Sequence, residues 1–326
     1  MKDRLTALLK DSSAYRVFDR EMQFGGSHAY LVVSDDGDLL ERLIGLMCMR
    51  TYCPTACGEC AECRKVLSGN KLDVASPNPS GEKMSADKAR EVAEDATLGA
   101  YEGGAKVYIL RRMDLQRDVV QNVLLKTLEE PNPNVMFLLT AASQQGILPT
   151  VLSRVKTLPY PKLSIPQVSE ILVEEGVKDP AFWARCSGGN LALAHTLLKD
   201  EHYVQAVDRV VAMIHSLKKS QDVVGYVFSS DFDRDNITRT LDIMQLVVED
   251  LLLAATQQKE AVTFPNQLAA YQLILNDISL RALPKTLDLV EIAKQKLQSN
   301  CNPQSVADSL LLGYLEEKAN ADNRRN

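Results

Sequence analysis

Residues 120–140 read VQNVLLKTLEEPNPNVMFLLT, and this stretch decides the fold. In its first half, apolar side chains recur at every fourth position from Val120 to Leu128, the spacing of one helix face. The residue before Pro131 resists the α conformation, so the helix is predicted to end there. The second half, 135–140, is a short apolar run without alternation, typical of a strand buried on both faces. A helix followed by a buried strand is one step of a parallel α/β sheet.

Two further apolar runs of the same kind lie upstream, at residues 29–33 and 106–110. Each is separated from the next by enough chain for a helical crossover, and residues 85–96 have the composition of a capped helix. Strands alternating with helices at this spacing predict a parallel α/β domain over residues 1–160.

Downstream of residue 160 the pattern changes, because no convincing alternating run occurs and helical stripes take over. A Gly-containing break at 187–190 and a polar stretch at 216–222 divide this half. We therefore expect two helical domains after the α/β domain, at 161–207 and 208–326.

The composition excludes several classes of protein. A chain of 326 residues with 45% hydrophobic and 25% charged residues is typical of a folded protein with two or three domains. A net charge of −6, from 37 basic and 43 acidic residues, argues against a protein that binds nucleic acid through its overall charge. No apolar stretch approaches 18 residues and charges interrupt the N-terminus, so we expect a cytoplasmic protein.

Five of the seven cysteines fall within sixteen residues, at Cys48, Cys53, Cys57, Cys60 and Cys63. The last three follow one another at two-residue intervals, a spacing that turns successive sulfurs toward one ion in a reducing compartment. Tetrahedral zinc needs a fourth sulfur, and either Cys48 or Cys53 can supply it. With no position left for water, the predicted zinc is structural rather than catalytic.

Several motifs in a common order resemble one family. Residues 124–131, 135–140 and 148–154, with 28–31 and the cysteine spacing, resemble the clamp-loader ATPase subunits of bacterial DNA polymerase III. The resemblance implies an α/β AAA+-like parallel-sheet domain with an inserted zinc knuckle at about 48–63. A small helical lid domain and an all-α collar that joins five subunits in a ring would follow. The family's longer cysteine spacing favours Cys48 as the fourth ligand.

The nucleotide motifs of that family are degenerate in this chain. The phosphate loop would need Gly residues followed by Lys and Ser/Thr, but Leu40 stands at the lysine position and Glu41 at the hydroxyl position. Arg111 and Arg112 stand where an ATPase places the acids that hold Mg²⁺. The arginine expected in the lid, near residues 188–193, is replaced by apolar residues. We therefore predict no bound ATP and no intrinsic ATPase activity.

One catalytic motif of the family survives, at Ser153 and Arg154, although Val155 replaces the cysteine that usually follows. The resemblance implies that Arg154 is an arginine finger, which stabilises the transferring phosphoryl group of ATP bound to a neighbouring subunit. The simpler alternative is a surface arginine or a local ion pair.

Together these motifs resemble the non-hydrolysing member of the loader, a subunit of the DNA-directed DNA polymerase III holoenzyme. The resemblance implies partners called delta and tau/gamma and the sliding beta clamp, which the complex loads on primer-template DNA. Two alternatives remain: an active, tau/gamma-like AAA+ ATPase, and a stand-alone zinc-dependent nucleic-acid-binding protein.

Overall fold

A computed structural model describes residues 3–160 and 162–322 of the chain. The chain divides into two compact units, Met1–Thr196 and Leu197–Asn326. The predicted domain boundaries at 160 and 207 therefore stay a prediction. Residue 161, which opens the predicted lid domain, and residues 323–326, which end the predicted collar, lie outside the described residues.

The first unit is built on a five-stranded sheet in the order β2-β3-β4-β1-β5, and all of its strand pairs are parallel. Its strands are β1 (Ala29–Val33), β2 (Val74–Ala75), β3 (Lys106–Leu110), β4 (Val135–Ala141) and β5 (Lys156–Pro159). Seven helices accompany the sheet: α1 (Arg4–Asp11), α2 (Ser13–Met22), α3 (Gly37–Tyr52), α4 (Ala61–Leu67), α5 (Ala86–Asp95), α6 (Asp118–Glu129) and α7 (Pro149–Leu152). The predicted parallel α/β domain is confirmed.

The three strands predicted from apolar runs are confirmed as β1, β3 and β4. All residues of β3 and β4 are buried, and the rings of Tyr108 and Phe137 stack across the two strands with centroids 5.2 Å apart. Helix α6 ends at Glu129, just before the Glu130–Pro131 step, as predicted. The sequence missed β2 and β5 because they are the short edge strands, whose residues are only partly buried and lack a continuous apolar run.

Three helices end the first unit: α8 (Ile165–Glu174), α9 (Pro180–Cys186) and α10 (Leu191–Leu198), the last of which crosses the boundary. Ser164 caps α8 in a capping box with Gln167. The chain then turns at residues 187–190, where Asn190 Oδ1 accepts a hydrogen bond from Leu193 N at 2.8 Å. This turn sets the direction in which α10 begins.

The second unit contains only helices among its described residues, 197–322. They are α11 (Tyr203–Ser216), α12 (Ser220–Val227), α13 (Ile237–Ala255), α14 (Leu268–Asp277), α15 (Ala282–Gln298) and α16 (Pro303–Asp322), joined by short 3₁₀ turns. Helix α13 is the most buried, and α15 packs between it and α16. The carboxylate of Asp250, fully buried on α13, accepts hydrogen bonds from Thr263 N and Phe264 N at 2.7 and 2.8 Å. The predicted all-helical character of this half is confirmed. Among the described residues, no helix is long and apolar enough to span a bilayer.

We predict that Gly189→Ala destabilises the first unit by about 2 to 4 kcal/mol. Gly189 has φ +85°, and a Cβ there would lie 2.0 Å from Leu163 O, so the change adds a backbone clash to left-handed strain. The measurement is urea unfolding followed by the fluorescence of Trp183, the single tryptophan, which lies on α9.

Gly188→Ala is the matched control, because Gly188 also has positive φ, +56°, but a Cβ there would meet nothing within 4 Å. It should cost only the strain, about 1 to 2 kcal/mol. Equal urea midpoints for the two variants would contradict the clash.

Candidate functional site

Four cysteine sulfurs meet where α3 ends and α4 begins. Cys53, the first residue after α3, lies beside Cys57 in the loop, and Cys60 caps the N-terminus of α4, which carries Cys63. The Sγ atoms of Cys53 and Cys57 are 3.8 Å apart, those of Cys57 and Cys63 are 4.0 Å apart, and all four lie within 4.8 Å of one another. We call these four residues the cysteine group.

The cysteine group fits a tetrahedral metal ion. Zinc–sulfur bonds of about 2.3 Å place the sulfurs of a tetrahedron about 3.8 Å apart, close to the distances observed. Backbone amides point at the sulfurs, since Cys57 Sγ accepts from Cys60 N at 3.3 Å and Cys60 Sγ accepts from Cys63 N at 3.4 Å. This arrangement suits thiolates, which carry negative charge.

The environment of the cysteine group favours the thiolate at two of its members and the thiol at a third. A hydrogen bond from the Cys57 amide, with others from Thr55, lowers the pKa of Cys53 to about 6. Amides of Glu59 and Cys60 lower the pKa of Cys57 as well. Burial instead raises the pKa of Cys63 to about 12, so a metal ion would have to displace that proton.

Cys48 is not a member of the cysteine group, and this corrects the preference for Cys48 that the spacing suggested. Cys48 lies inside α3, more than one turn before its end, and its side chain is fully buried in the core. Burial raises the pKa of its thiol to about 12. Cys53 lies just past the helix, where the chain is free to turn its sulfur toward the other three.

The loop between β1 and α3 stands where the phosphate loop was expected. Leu40, at the lysine position, is buried in the core. Asp36 caps α3 by accepting from Leu39 N at 3.1 Å, and its carboxylate also accepts from Leu191 N and, at 3.2 Å, from Ala192 N. Burial raises the pKa of Asp36.

The neighbouring aspartates of this loop are also paired. Asp35 forms an ion pair with Lys162 at 3.0 Å. Asp38 contacts Nδ1 of His195, whose Nε2 lies 2.8 Å from Glu175. Although burial opposes it, these two carboxylates raise the pKa of His195.

An ion pair lies where the family would hold Mg²⁺. Arg111, directly after β3, binds the carboxylate of Glu41 through Nε and through Nη2, the latter at 2.7 Å, and its Nη1 donates to Ser76 Oγ. Arg112 has φ +49° and pairs with Asp114 at 2.9 Å. Two guanidinium groups supply no ligand for a cation, so these side chains do not fit a Mg²⁺-bound nucleotide.

Arg154 lies two residues after the short helix α7 and is partly exposed. Its Nη1 donates to Thr150 O at 2.9 Å, and its Nη2 forms an ion pair with Glu129 at 3.0 Å. Its Nε is buried and makes no hydrogen bond with the described residues. Neighbouring Ser153 is exposed, and its Oγ accepts from Arg154 Nη1 at 3.2 Å. The ion pair holds the guanidinium at the end of α6 and leaves part of it accessible.

The sequence did not identify the partners in three contacts: α10 for Asp36, Glu41 for Arg111, and Glu129 for Arg154. The last is a local ion pair, the simpler alternative considered for Arg154. A signal existed for the second pair, because residues of opposite charge stand at two of the positions compared with the family's motifs. The other two contacts join residues that no local pattern connects.

Comparison with known proteins supports the resemblance to subunits of bacterial DNA polymerase III. Residues 10–164 match the family described as DNA polymerase III, delta subunit. The DNA polymerase III subunit delta' of Bacillus subtilis is 25% identical over 306 residues, 88% of this chain and 90% of its own. That of Yersinia pestis is 35% identical over 40% of each chain. The subunit tau of Escherichia coli is 26% identical over 79% of this chain and 44% of its own. The resemblance to DNA polymerase III subunits that the sequence motifs predicted is confirmed.

We predict that Cys53→Ala loses the predicted zinc, whereas Cys48→Ala retains about one Zn²⁺ per chain. The first change removes one of four converging sulfurs, and the second removes a buried core thiol. Metal content is measured by mass spectrometry after dialysis against a competing chelator.

The reverse result, with zinc lost from Cys48→Ala and kept by Cys53→Ala, would show that Cys48 is the fourth ligand, as the family's longer spacing implies. Cys301→Ala controls for handling, because Cys301 is an exposed thiol of the second unit.

Proposed function

We propose that this chain, a relative of the delta' subunits of bacterial DNA polymerase III, is the non-hydrolysing subunit of a clamp loader. The Arg111–Glu41 ion pair carries the proposal. By the family resemblance, these two positions should hold Mg²⁺ through an acid and a hydroxyl, and a guanidinium there repels the cation instead. Because the glutamate neutralises the arginine, the degenerate positions form a stable pair of their own.

In this proposal the chain contributes a catalytic group to a neighbour. Arg154 would enter the nucleotide site of an adjacent subunit and stabilise charge on the transferring phosphoryl group, an effect worth roughly 10³ to 10⁵ in rate. To do so the guanidinium must leave Glu129. That exchange is feasible because Glu129 is 59% exposed, and an exposed ion pair contributes only about 0 to 1 kcal/mol.

The remaining parts of the chain would serve assembly. Residues 161–207 would form the lid domain and residues 208–326 the collar that joins delta and tau/gamma subunits in a hetero-oligomeric ring. The complete ring would load the sliding beta clamp on primer-template DNA. Zinc bound by the cysteine group would fix the loop between α3 and α4, which has little core of its own.

An active ATPase is the second candidate, favoured by the 26% identity to a tau subunit over 79% of this chain. This candidate requires a nucleotide site made from other residues than Leu40, Glu41, Arg111 and Arg112. A stand-alone zinc-dependent nucleic-acid-binding protein, the third possibility, would bind DNA tightly without the ring.

We predict that the isolated chain gives no saturable heat with ATP and Mg²⁺ in calorimetry. The reason is that the Arg111–Glu41 pair and the buried Leu40 leave neither a cation site nor a lysine for the phosphates. A tau-type subunit prepared in the same way is the positive control. Tight, Mg²⁺-dependent binding would exclude the proposed role and favour the active ATPase.

We further predict that Arg154→Ala leaves the loader assembled and lowers its DNA-dependent ATP hydrolysis. Loss of the finger should slow the site that it serves by about 10³-fold or more. Turnover is measured on the reconstituted complex, and assembly by size-exclusion chromatography.

Arg90→Ala is the control, since Arg90 is an exposed arginine of α5 that forms an ion pair with Asp87, three residues earlier. Unchanged turnover in an intact Arg154→Ala complex would show that Arg154 is a local ion-pair residue.

A further inference from the structure

The carboxylate of Asp36 is shared by the N-termini of two helices. Its Oδ1 accepts from Leu39 N in the first turn of α3 and from Ala192 N in the first turn of α10, while its Oδ2 accepts from Leu191 N. The residues of α10 lie 155 and 156 positions further along the chain. A single side chain therefore joins the loop after β1 to the last helix of the first unit.

Both helices need an anion at this point. The first amides of a helix have no carbonyl partner within it, and the aligned peptide dipoles place positive potential at its N-terminus. Leu191 and Ala192 are the first two residues of α10, so their amides have no intrahelical acceptor. The Asp36 carboxylate supplies the hydrogen bonds and the negative charge for both ends.

The carboxylate is completely buried, at 0% exposure. A buried charge is costly unless it is compensated, and three backbone N–H groups from two helix ends provide the compensation. Burial nevertheless raises the pKa of Asp36.

Weaker contacts between α10 and the segment after β1 surround the Asp36 carboxylate. Asn190 Nδ2 donates to Asp35 O at 3.3 Å, and His195 on α10 contacts Asp38 on α3. The side chains of Asp38 and His195 are 48% and 29% exposed, so solvent screens their attraction. Of these contacts between α10 and the segment after β1, the one made by the Asp36 carboxylate is shielded from water.

We propose that Asp36 is a built-in anion that holds α10 against the loop after β1, in the place where a nucleotide-binding relative would hold a phosphate. A helix N-terminus that follows a strand is a common phosphate site, and in this chain the anion is covalently part of the protein. The contact between α10 and this loop then needs no ligand. This inference concerns the isolated chain and goes beyond the proposed role in the loader.

The test is hydrogen exchange of the full-length chain, at single-residue resolution, for Asp36→Ser. Serine is a good N-cap and keeps the bond to Leu39 N, but it is too short to reach α10 as well. The amides of Leu191 and Ala192 should exchange about 10- to 100-fold faster, because each loses a hydrogen bond to a charged group. Leu193 and Leu39 should keep their protection, since Asn190 caps the first and the new serine caps the second.

Asp35→Asn is the matched control, because it removes the same charge one position earlier and from an exposed ion pair. It should leave Leu191 and Ala192 protected. Unchanged exchange of these amides in Asp36→Ser, or equal acceleration in Asp35→Asn, would overturn the proposal.

Lost protection in β4 would show that Asp36→Ser unfolds the first unit. In that case Asp36→Asn tests the proposal instead. Asparagine keeps Oδ1 as the acceptor for Leu39 N and Ala192 N and places an N–H₂ where Oδ2 accepted from Leu191 N, so the amide of Leu191 should lose protection and that of Ala192 should keep more of it. Retained protection of Leu191 in Asp36→Asn would overturn the proposal. ATP binding and Arg154 turnover do not enter this measurement, so the inference and the proposed function can fail separately.

Discussion

The parallel arrangement of β3, β4 and β1 is the constraint on which the rest of the first unit depends. In a parallel sheet the carboxyl ends of all strands lie at one edge, so the loops that follow them meet there. The loop after β1 carries Asp36, and the loop after β3 carries Arg111. Strand β4 lies between these two strands, and its Thr140 accepts a hydrogen bond from Arg112 N at 3.2 Å. Burial of the apolar runs thus brings together charged residues that are far apart in the chain.

The charges at that edge are reversed relative to a phosphate-binding site, and they complement one another. Glu41 lies in the second turn of α3, and its carboxylate is matched by the Arg111 guanidinium at the end of β3. The N-terminus of α3 would attract a phosphate, but the carboxylate of Asp36 already lies there and accepts from Leu39 N. Glu41, Arg111 and Arg112 each have a partner of opposite charge, so none of these three charges is left unpaired.

The cysteine group and Arg154 depend on the sheet less directly. The cysteine group is assembled by local turns between α3 and α4, and Lys10 on α1 donates to Thr55 O and Ala56 O, which holds this loop to the body of the unit. Arg154 follows α7, and its partner Glu129 ends α6, the helix with which the argument from sequence began. Arg154 is therefore in contact with the stretch 120–140 that decides the fold.

The sequence alone determined the three central strands, α6 with its end before Pro131, the helical second half and the cysteine cluster. Hydrophobic period and proline stereochemistry act over a few residues, so these features can be derived locally. Only the tertiary structure decided that Cys53 rather than Cys48 joins the other sulfurs, because the end of α3 determines which thiol is free to turn. It also decided that Asp36 meets α10 and Arg111 meets Glu41. These pairs are separated by 155 and 70 positions, and only the folded sheet and the helices packed on it bring them together.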